Sequence, residues 1–300
     1  MISARALTLL ACVGACAACR ETSKADAAQL RRLESERKQE LASRLALADS
    51  DPKRTAPVAM WLLPPELKEI SGIALTADGR LLAHDDNVGR IFVIDPRSGL
   101  AVKQFVLGRG VQGDFEAITV AGSDIYLLDS NGTLYQFREG ADGSAVPFAV
   151  HDTHLGHECE FESLAYQADS GWLVMPCKKV GKKQLQDQLV IYRWRVAGPD
   201  STRLSMATIP LARLIGSNRW KDFRPSDMTI DPTTGNYVLI ASHENGLIEM
   251  TPAGEAVRSG PLPGEHSQPE GVAITKDSIL IISDETGRRP AAITLYRWRR

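Results

Sequence analysis

From Pro57 onward the chain alternates short apolar runs rich in Val, Ile, Leu and Tyr with turns built from Gly, Asn, Asp and Pro. Runs of this length bounded by such turns predict strands rather than helices. Five segments align: "EISGIALTADGRLLAHDDNVGRIFVID" from Glu69, "DFEAITVAGSDIYLLDSNGTLYQF" from Asp114, "EFESLAYQADSGWLVMPCKK" from Glu160, "RPSDMTIDPTTGNYVLIASHENGLIEM" from Arg224 and "QPEGVAITKDSILIISDETG" from Gln268. The third is completed by "LVIYRW" after an insertion, and the fifth by "TLYRW". Each reads as strand, tight turn, strand, polar turn, strand. A spacing of about 45 residues, stretched once to about 64, is that of one propeller blade per repeat. The expected fold is therefore an all-β β-propeller. Five blades are favoured, and six are possible if "STRLSMATIPL" and "LARLIGSNRWKDF" hide another. The fifth repeat runs out at its third strand, so "PVAMWLL" at 57–63 is the expected donor of the fourth, closing the ring between the two ends of the domain.

Ahead of the propeller domain (57–300), residues 20–56 carry leucines at roughly helical intervals among mixed charges. They predict a helical or flexible tether, solvated as a spacer, with a coiled coil as the alternative. The first 19 residues, "MISARALTLLACVGACAAC", place Arg5 before a short apolar run ending in small residues and cysteine, the grammar of a signal peptide. A cysteine closing such a run resembles a lipobox, giving Cys19 as the expected lipidation site and Cys16 as the alternative. The expected location is the cell envelope, as an outer-membrane lipoprotein facing the periplasm, or else as a soluble periplasmic or secreted protein. The membrane would be met only through the lipid anchor. Beyond those first residues only Cys159 and Cys177 remain, flanking a hairpin, and an oxidising compartment permits a disulfide between them.

Net charge is −2 over 300 residues, which gives no electrostatic pull toward nucleic acid. The chemistry is placed instead by topology. In a propeller the start of each innermost strand and the end of each second strand share one face. Ser71, Glu116, Glu162, Ser226 with Asp227, and Glu270 stand at the starts; Asp85, Asp86, Asn87, Asp129, His243, Glu244, Asp284 and Glu285 stand at the ends. His84, His151, His154, His157, His243 and His266 fall in segments of that same face. Converging carboxylates need a cation, protonation or water, and oxygen ligands without clustered thiolates suit Ca²⁺ or Mg²⁺. Glu116, Glu162, Asp227 and Glu270 are the candidate ligands of a Ca²⁺ ion. Ser71, Asp86, Asp129, His243, Glu244 and Asp284 are the candidate contacts for a small molecule or an envelope protein bound by a monomer. Capping of neighbouring loops is the competing use of these side chains.

Three other readings compete. "HDTHLGHECE", from His151 to Glu160, invites zinc, although its spacing is no standard zinc signature. Ser226, His243 and Asp227 invite a nucleophile and base, without a nucleophile elbow. Lys178, Lys179, Lys182, Lys183, Arg219 and Lys221 invite an anion at the rim, or are simply a solvated loop.

The segments "EISGIA", "GDFEAIT", "SDMTIDPTTGNYVLIASHENGLIEM" and "QPEGVAITKDSILIISDE" resemble the SdiA-regulated (YjiK-like) family of bacterial envelope proteins, over about residues 65 to 300. The resemblance implies a calcium-associated β-propeller, more distantly similar to the esterase-like phytase domain and to the gluconolactonase/regucalcin propellers. In those lactonases a metal at the channel mouth activates water, and Glu116, Glu162, Asp227 and Glu270 are the counterparts it implies here. A metal-dependent phosphoesterase or lactonase is thus the alternative to a binding protein.

Overall fold

The computed structural model describes residues 11–51, 53–199 and 202–299, with side chains from residue 26 onward. The signal-peptide reading of 1–19 and the side chains of Cys16 and Cys19 lie outside the described residues. The N-terminal helix α1 spans Ala11–Ser50 and is followed by strand β1, Ala59–Leu62.

Five sheets follow. The first blade is β2 (Ile70–Leu75), β3 (Leu81–Asp85), β4 (Arg90–Asp95) and β5 (Leu100–Leu107); the second is β6 (Phe115–Ala121), β7 (Asp124–Asp129), β8 (Thr133–Phe137) and β10 (Phe148–Asp152). Between β8 and β10 a two-residue strand, β9 (Ala145–Val146), reaches back to pair in parallel with β5 of the first blade. The third blade has a divided inner strand, β11 (Cys159–Phe161) and β12 (Ala165–Gln167), then β13 (Trp172–Val180), β14 (Gln188–Arg195) and β15 (Leu204–Pro210), with the short helix α2 (Leu211–Ile215) after it. The fourth is β16 (Asp227–Ile230), β17 (Tyr237–Ala241), β18 (Gly246–Met250) and β19 (Ala256–Pro261). The fifth is β20 (Pro269–Ile274), β21 (Ile279–Asp284) and β22 (Ala292–Arg297), completed by β1. The molecule is thus a five-bladed β-propeller. The sequence "STRLSMATIPL", a candidate for part of a sixth blade, supplies β15, the outer strand of the third.

Burial explains this strand order. Second strands are covered on both faces by neighbouring blades and read as continuous apolar runs: β17 and β21 are buried at every position. Outer strands such as β15 alternate, because one face meets water. The apolar side chains gather into five clusters, one in each seam between adjacent blades. Ring closure is antiparallel, with Ala59 opposite Leu295 and Leu62 opposite Ala292. Trp61 fixes it further by donating its indole N–H to the Pro96 carbonyl at 3.0 Å. Its ring lies so close to Gly99, at φ +68°, that no side chain fits at that turn.

Helix α1 is supported by i,i+4 ion pairs such as Arg32–Glu36 at 2.8 Å. Its second half departs from the solvated spacer expected of it. Leu41 and Ala48 are 1% exposed and join the seam between the fifth and first blades. Lys38 pairs with Asp95 at 2.9 Å, Arg37 donates to the Ser98 carbonyl at 2.7 Å, and Asp49 meets Arg297 at 2.7 Å. Of the leucines spaced at helical intervals, Leu41 and Leu45 pack against this seam, while Leu30 and Leu47 are exposed.

Candidate functional site

Each innermost strand begins with a local irregularity. The register slips between Ile70 and Gly72, between Phe115 and Ala117, and between Pro269 and Gly271, so Ser71, Glu116 and Glu270 are extra residues opposite no partner. A bulge of this kind releases a side chain from the ladder and re-aims it. In the third blade Phe161 faces Cys177 and Ala165 faces Val174, again leaving one residue too many around Glu162. In the fourth, the Ser226 N–H donates to the Ile240 carbonyl at 2.9 Å while Asp227 pairs with the same residue. The five equivalent positions are therefore Ser71, Glu116, Glu162, Ser226 and Glu270, at one mouth of the channel.

Asp227 stands one residue further along its strand. It is 1% exposed, and its Oδ2 accepts the Val272 N–H of the fifth blade at 2.8 Å. Burial raises its carboxyl well above the usual range, against the pull of the two backbone N–H groups of Val272 and Met228. Ser226 makes a second link between these blades, donating its hydroxyl to the Pro269 carbonyl at 2.7 Å. Both residues join blades four and five. The reading of Ser226 as a nucleophile fails geometrically, since His243 is exposed and bonded to Glu244 at 2.8 Å instead.

The remaining carboxylates share a cation that belongs to the protein. Lys178, directly after Cys177, extends its ammonium to Glu162 Oε1 in a short ion pair. Its charge also reaches Glu116 and Glu270, where it opposes the effect of burial. Burial dominates in both: Glu116 is pushed up to about 8, with Asp114 adding to the rise, and Glu270 to about 7. Ser242 donates a hydrogen bond to Glu270. Glu162 is 7% exposed, and its second oxygen, Oε2, is buried without a hydrogen-bond donor. Further out, burial raises Asp86, with Glu69, Asp85 and Asp114 adding to the rise, and burial raises Glu285, with Asp86 and Glu69 adding to it.

The second-strand ends divide by role. Asp129 accepts the Asp114 N–H at 3.1 Å, and Asp85 those of Asn87 and Val88 at 3.0 and 2.9 Å. Asp284 accepts the Ser267 N–H at 2.9 Å and meets His266 Nδ1 at 2.6 Å, while His266 Nε2 lies 3.0 Å from the Tyr296 hydroxyl. Glu244 accepts the Arg224 N–H at 3.1 Å. These side chains hold loops through backbone N–H groups, whereas Asp86 and Glu285 accept the side-chain amides of Asn87 and Gln268, the latter at 3.2 Å. Histidines do not converge there. His84 is fully buried, with burial lowering it to about 4, and its ring fills the space above Gly72. In "HDTHLGHECE", His154 is exposed beside Asp152 and Cys159 is joined to Cys177 in a disulfide with Cα atoms 5.5 Å apart. Among the described residues no three His, Cys, Asp or Glu side chains are already arranged to hold a metal.

The sequence reading groups Lys178 with Lys179 and Lys182 on the rim, whereas the structure pairs it with Glu162. Lys179 and Lys182 pair outward, with Glu160 at 3.6 Å and Glu158 at 2.6 Å. The signal was register: Cys177 occupies the position of Asp85, Asp129 and Asp284, so Lys178 follows as Asp86 and Glu285 do.

No protein-family model matches the chain, and no curated protein does. Solved structures do. The glutaminyl cyclase of Myxococcus xanthus aligns with a TM-score of 0.52 at 13% identity, over 80% of this chain and 94% of that one. The PQQ-bound aldose sugar dehydrogenase of Streptomyces coelicolor aligns at 0.50 and 15%, over 80% and 99%. A luciferin-regenerating enzyme aligns at 0.50 and 9%, over 81% and 98%. At these identities the likeness establishes the β-propeller fold.

Proposed function

We propose that this propeller is a cation-binding protein of the bacterial cell envelope, akin to the SdiA-regulated (YjiK-like) proteins, exported and lipid-anchored through Cys19 or Cys16. Its acidic mouth takes a divalent ion, Ca²⁺ by preference, and presents that face to a small ligand. The observation that carries this reading is the buried, donorless Oε2 of Glu162 within a set of three bulge glutamates. The donor set is all oxygen, which suits a hard cation. Glu116, Glu162 and Glu270 would hold the ion, and Asp227, committed to Val272, would not. Lys178 is its competitor, a tethered ammonium that must swing aside on its flexible stem as the ion enters.

An ion that binds only the folded state raises the thermal midpoint with its concentration. Calcium titration of the wild type should do so, Glu162→Gln should abolish the response, and Lys178→Met should enlarge it. Absence of any shift in both wild type and Lys178→Met at millimolar calcium overturns the reading.

The metal-dependent hydrolase remains the second reading, for one reason. A carboxyl held near 8 stays protonated at neutral pH, so Glu116 is equipped to donate a proton to a leaving group. Turnover of a phosphoester or lactone that requires calcium and is lost in Glu116→Gln would support it.

A further inference from the structure

The channel has a second end, and it is chemically unlike the first. Two positions beyond the mouth ring the innermost strands place Ile73, Ile118, Leu164, Met228 and Val272, none more than 3% exposed, a buried apolar layer that forms a plug between the mouth and the far end of the channel. Beyond the plug the same five strands contribute Leu75, Val120, Tyr166, Ile230 and Ile274. All but Ile274 are partly exposed, lining a cavity of about 720 Å³ that opens on the face opposite the glutamates. A water-accessible cavity with two-strand-deep apolar walls lies within the range of roughly 300 to 1,000 Å³ typical of small-molecule sites.

The rim states what such a molecule must be. Its charges are largely spent on one another: Arg80 is held by Asp78 at 2.7 Å and by Glu139 at 3.0 Å, Arg97 by Asp277 at 2.6 Å, and Asp95 by Lys38 of α1 at 2.9 Å. Lys276 is exposed to water. Among the uncharged polar residues lining the cavity are Thr119, Thr229 and Tyr166, and the partly exposed Tyr166 makes no side-chain hydrogen bond among the described residues. A charged ligand would lose its hydration here without a counter-charge, whereas an apolar body gains by leaving water.

We propose that this lower vestibule is a binding site for one uncharged, largely apolar small molecule, oriented by a hydrogen bond to Tyr166. The site is independent of the acidic mouth, because the plug separates them.

The test uses the full chain and the uncharged fluorescent probe N-phenyl-1-naphthylamine. A saturable rise in fluorescence with one probe per chain is expected, accompanied by a thermal midpoint that climbs with probe concentration. Val120→Trp, which fills the vestibule, should weaken binding by about tenfold or more, while Glu162→Gln at the mouth should leave it unchanged. The anionic probe 8-anilinonaphthalene-1-sulfonate should bind more weakly than the uncharged one. Should Val120→Trp fail to fold, Ile230→Ser supplies the same comparison by making the wall polar. A rise that does not saturate, binding indifferent to both vestibule variants, or tighter binding of the anionic probe overturns the proposal.

Discussion

At the end of its second strand the fifth blade places Asp284, and at the same register the third blade places Cys177. Asp284 gathers two backbone N–H groups and His266, a polar network buried beneath the mouth. Cys177 is instead tied to Cys159, and the bond does the work of the carboxylate cap. The consequence reaches the next residue and the facing strand. With the loop secured covalently, the third blade can turn Lys178 and Glu162 toward the mouth, and it supplies the ammonium paired there. One repeated backbone geometry thus accepts two different fasteners, and the choice of fastener decides which charges are left over for the channel.

The comparison can be broken first at the fifth blade's other dependence, its borrowed strand. Trp61→Ala should lower unfolding free energy by about 3 to 5 kcal/mol, measured by denaturant melting, since a nearly buried indole and its bond to Pro96 are lost from the ring closure. Replacing both Cys159 and Cys177 by alanine should cost about 3 kcal/mol, the loop-closure value for a separation of 18 residues, and a reductant should reproduce the loss in the wild type. Asp284→Ala should cost about 2 kcal/mol by leaving buried donors unsatisfied, and its loss relative to wild type should be the same with and without reductant. A loss in that variant that vanished on reduction would mean the two fasteners are not independent.

The smallest effect concerns protons. Glu116 and Glu270 are held near 8 and 7 in the folded protein, above the 4.5 of an unperturbed glutamate. Between those values the folded state binds more protons than the unfolded one, so stability is fullest at acid pH and declines as pH rises from about 5 to about 8. A fall in the melting midpoint is expected across this interval, flatter in Glu116→Gln; a midpoint that rises over it contradicts the burial of these carboxyls.

Much of this architecture was legible because period and turn chemistry repeat. The five entries into innermost strands and the N-terminal donor strand follow from spacing alone. The outer strand β15 was harder to place because its alternation, half polar and facing water, carries no core signal. At the site, Glu116, Glu162 and Glu270 were recognisable as one position, but Asp227 was grouped with them by its acidity. The bulge inserts a residue, and a shift of one converts a mouth-facing side chain into one committed to the adjoining blade. Lys178 was overlooked because a lysine beside other lysines reads as surface, and only its register after Cys177 marks it as inward. The docking of α1 was hidden by the charges that surround Leu41 and Ala48.

The clasp between β1 and β22 also has a mechanical meaning. Strand β1 follows directly from the chain's N-terminal helix, so tension applied through that helix is delivered to the one joint where the propeller's circle was sewn shut. It does not arrive there unbuffered. Arg297 grips Asp49, and Arg299 grips the carbonyls at the end of α1, joining the last strand to the helix itself. A pull on the helix must first peel this polar clamp and the buried Leu41 and Ala48, and only then shear the hydrogen bonds of the closing strand. The helix is a strain relief, in the sense that a cable is clamped to its housing ahead of the solder.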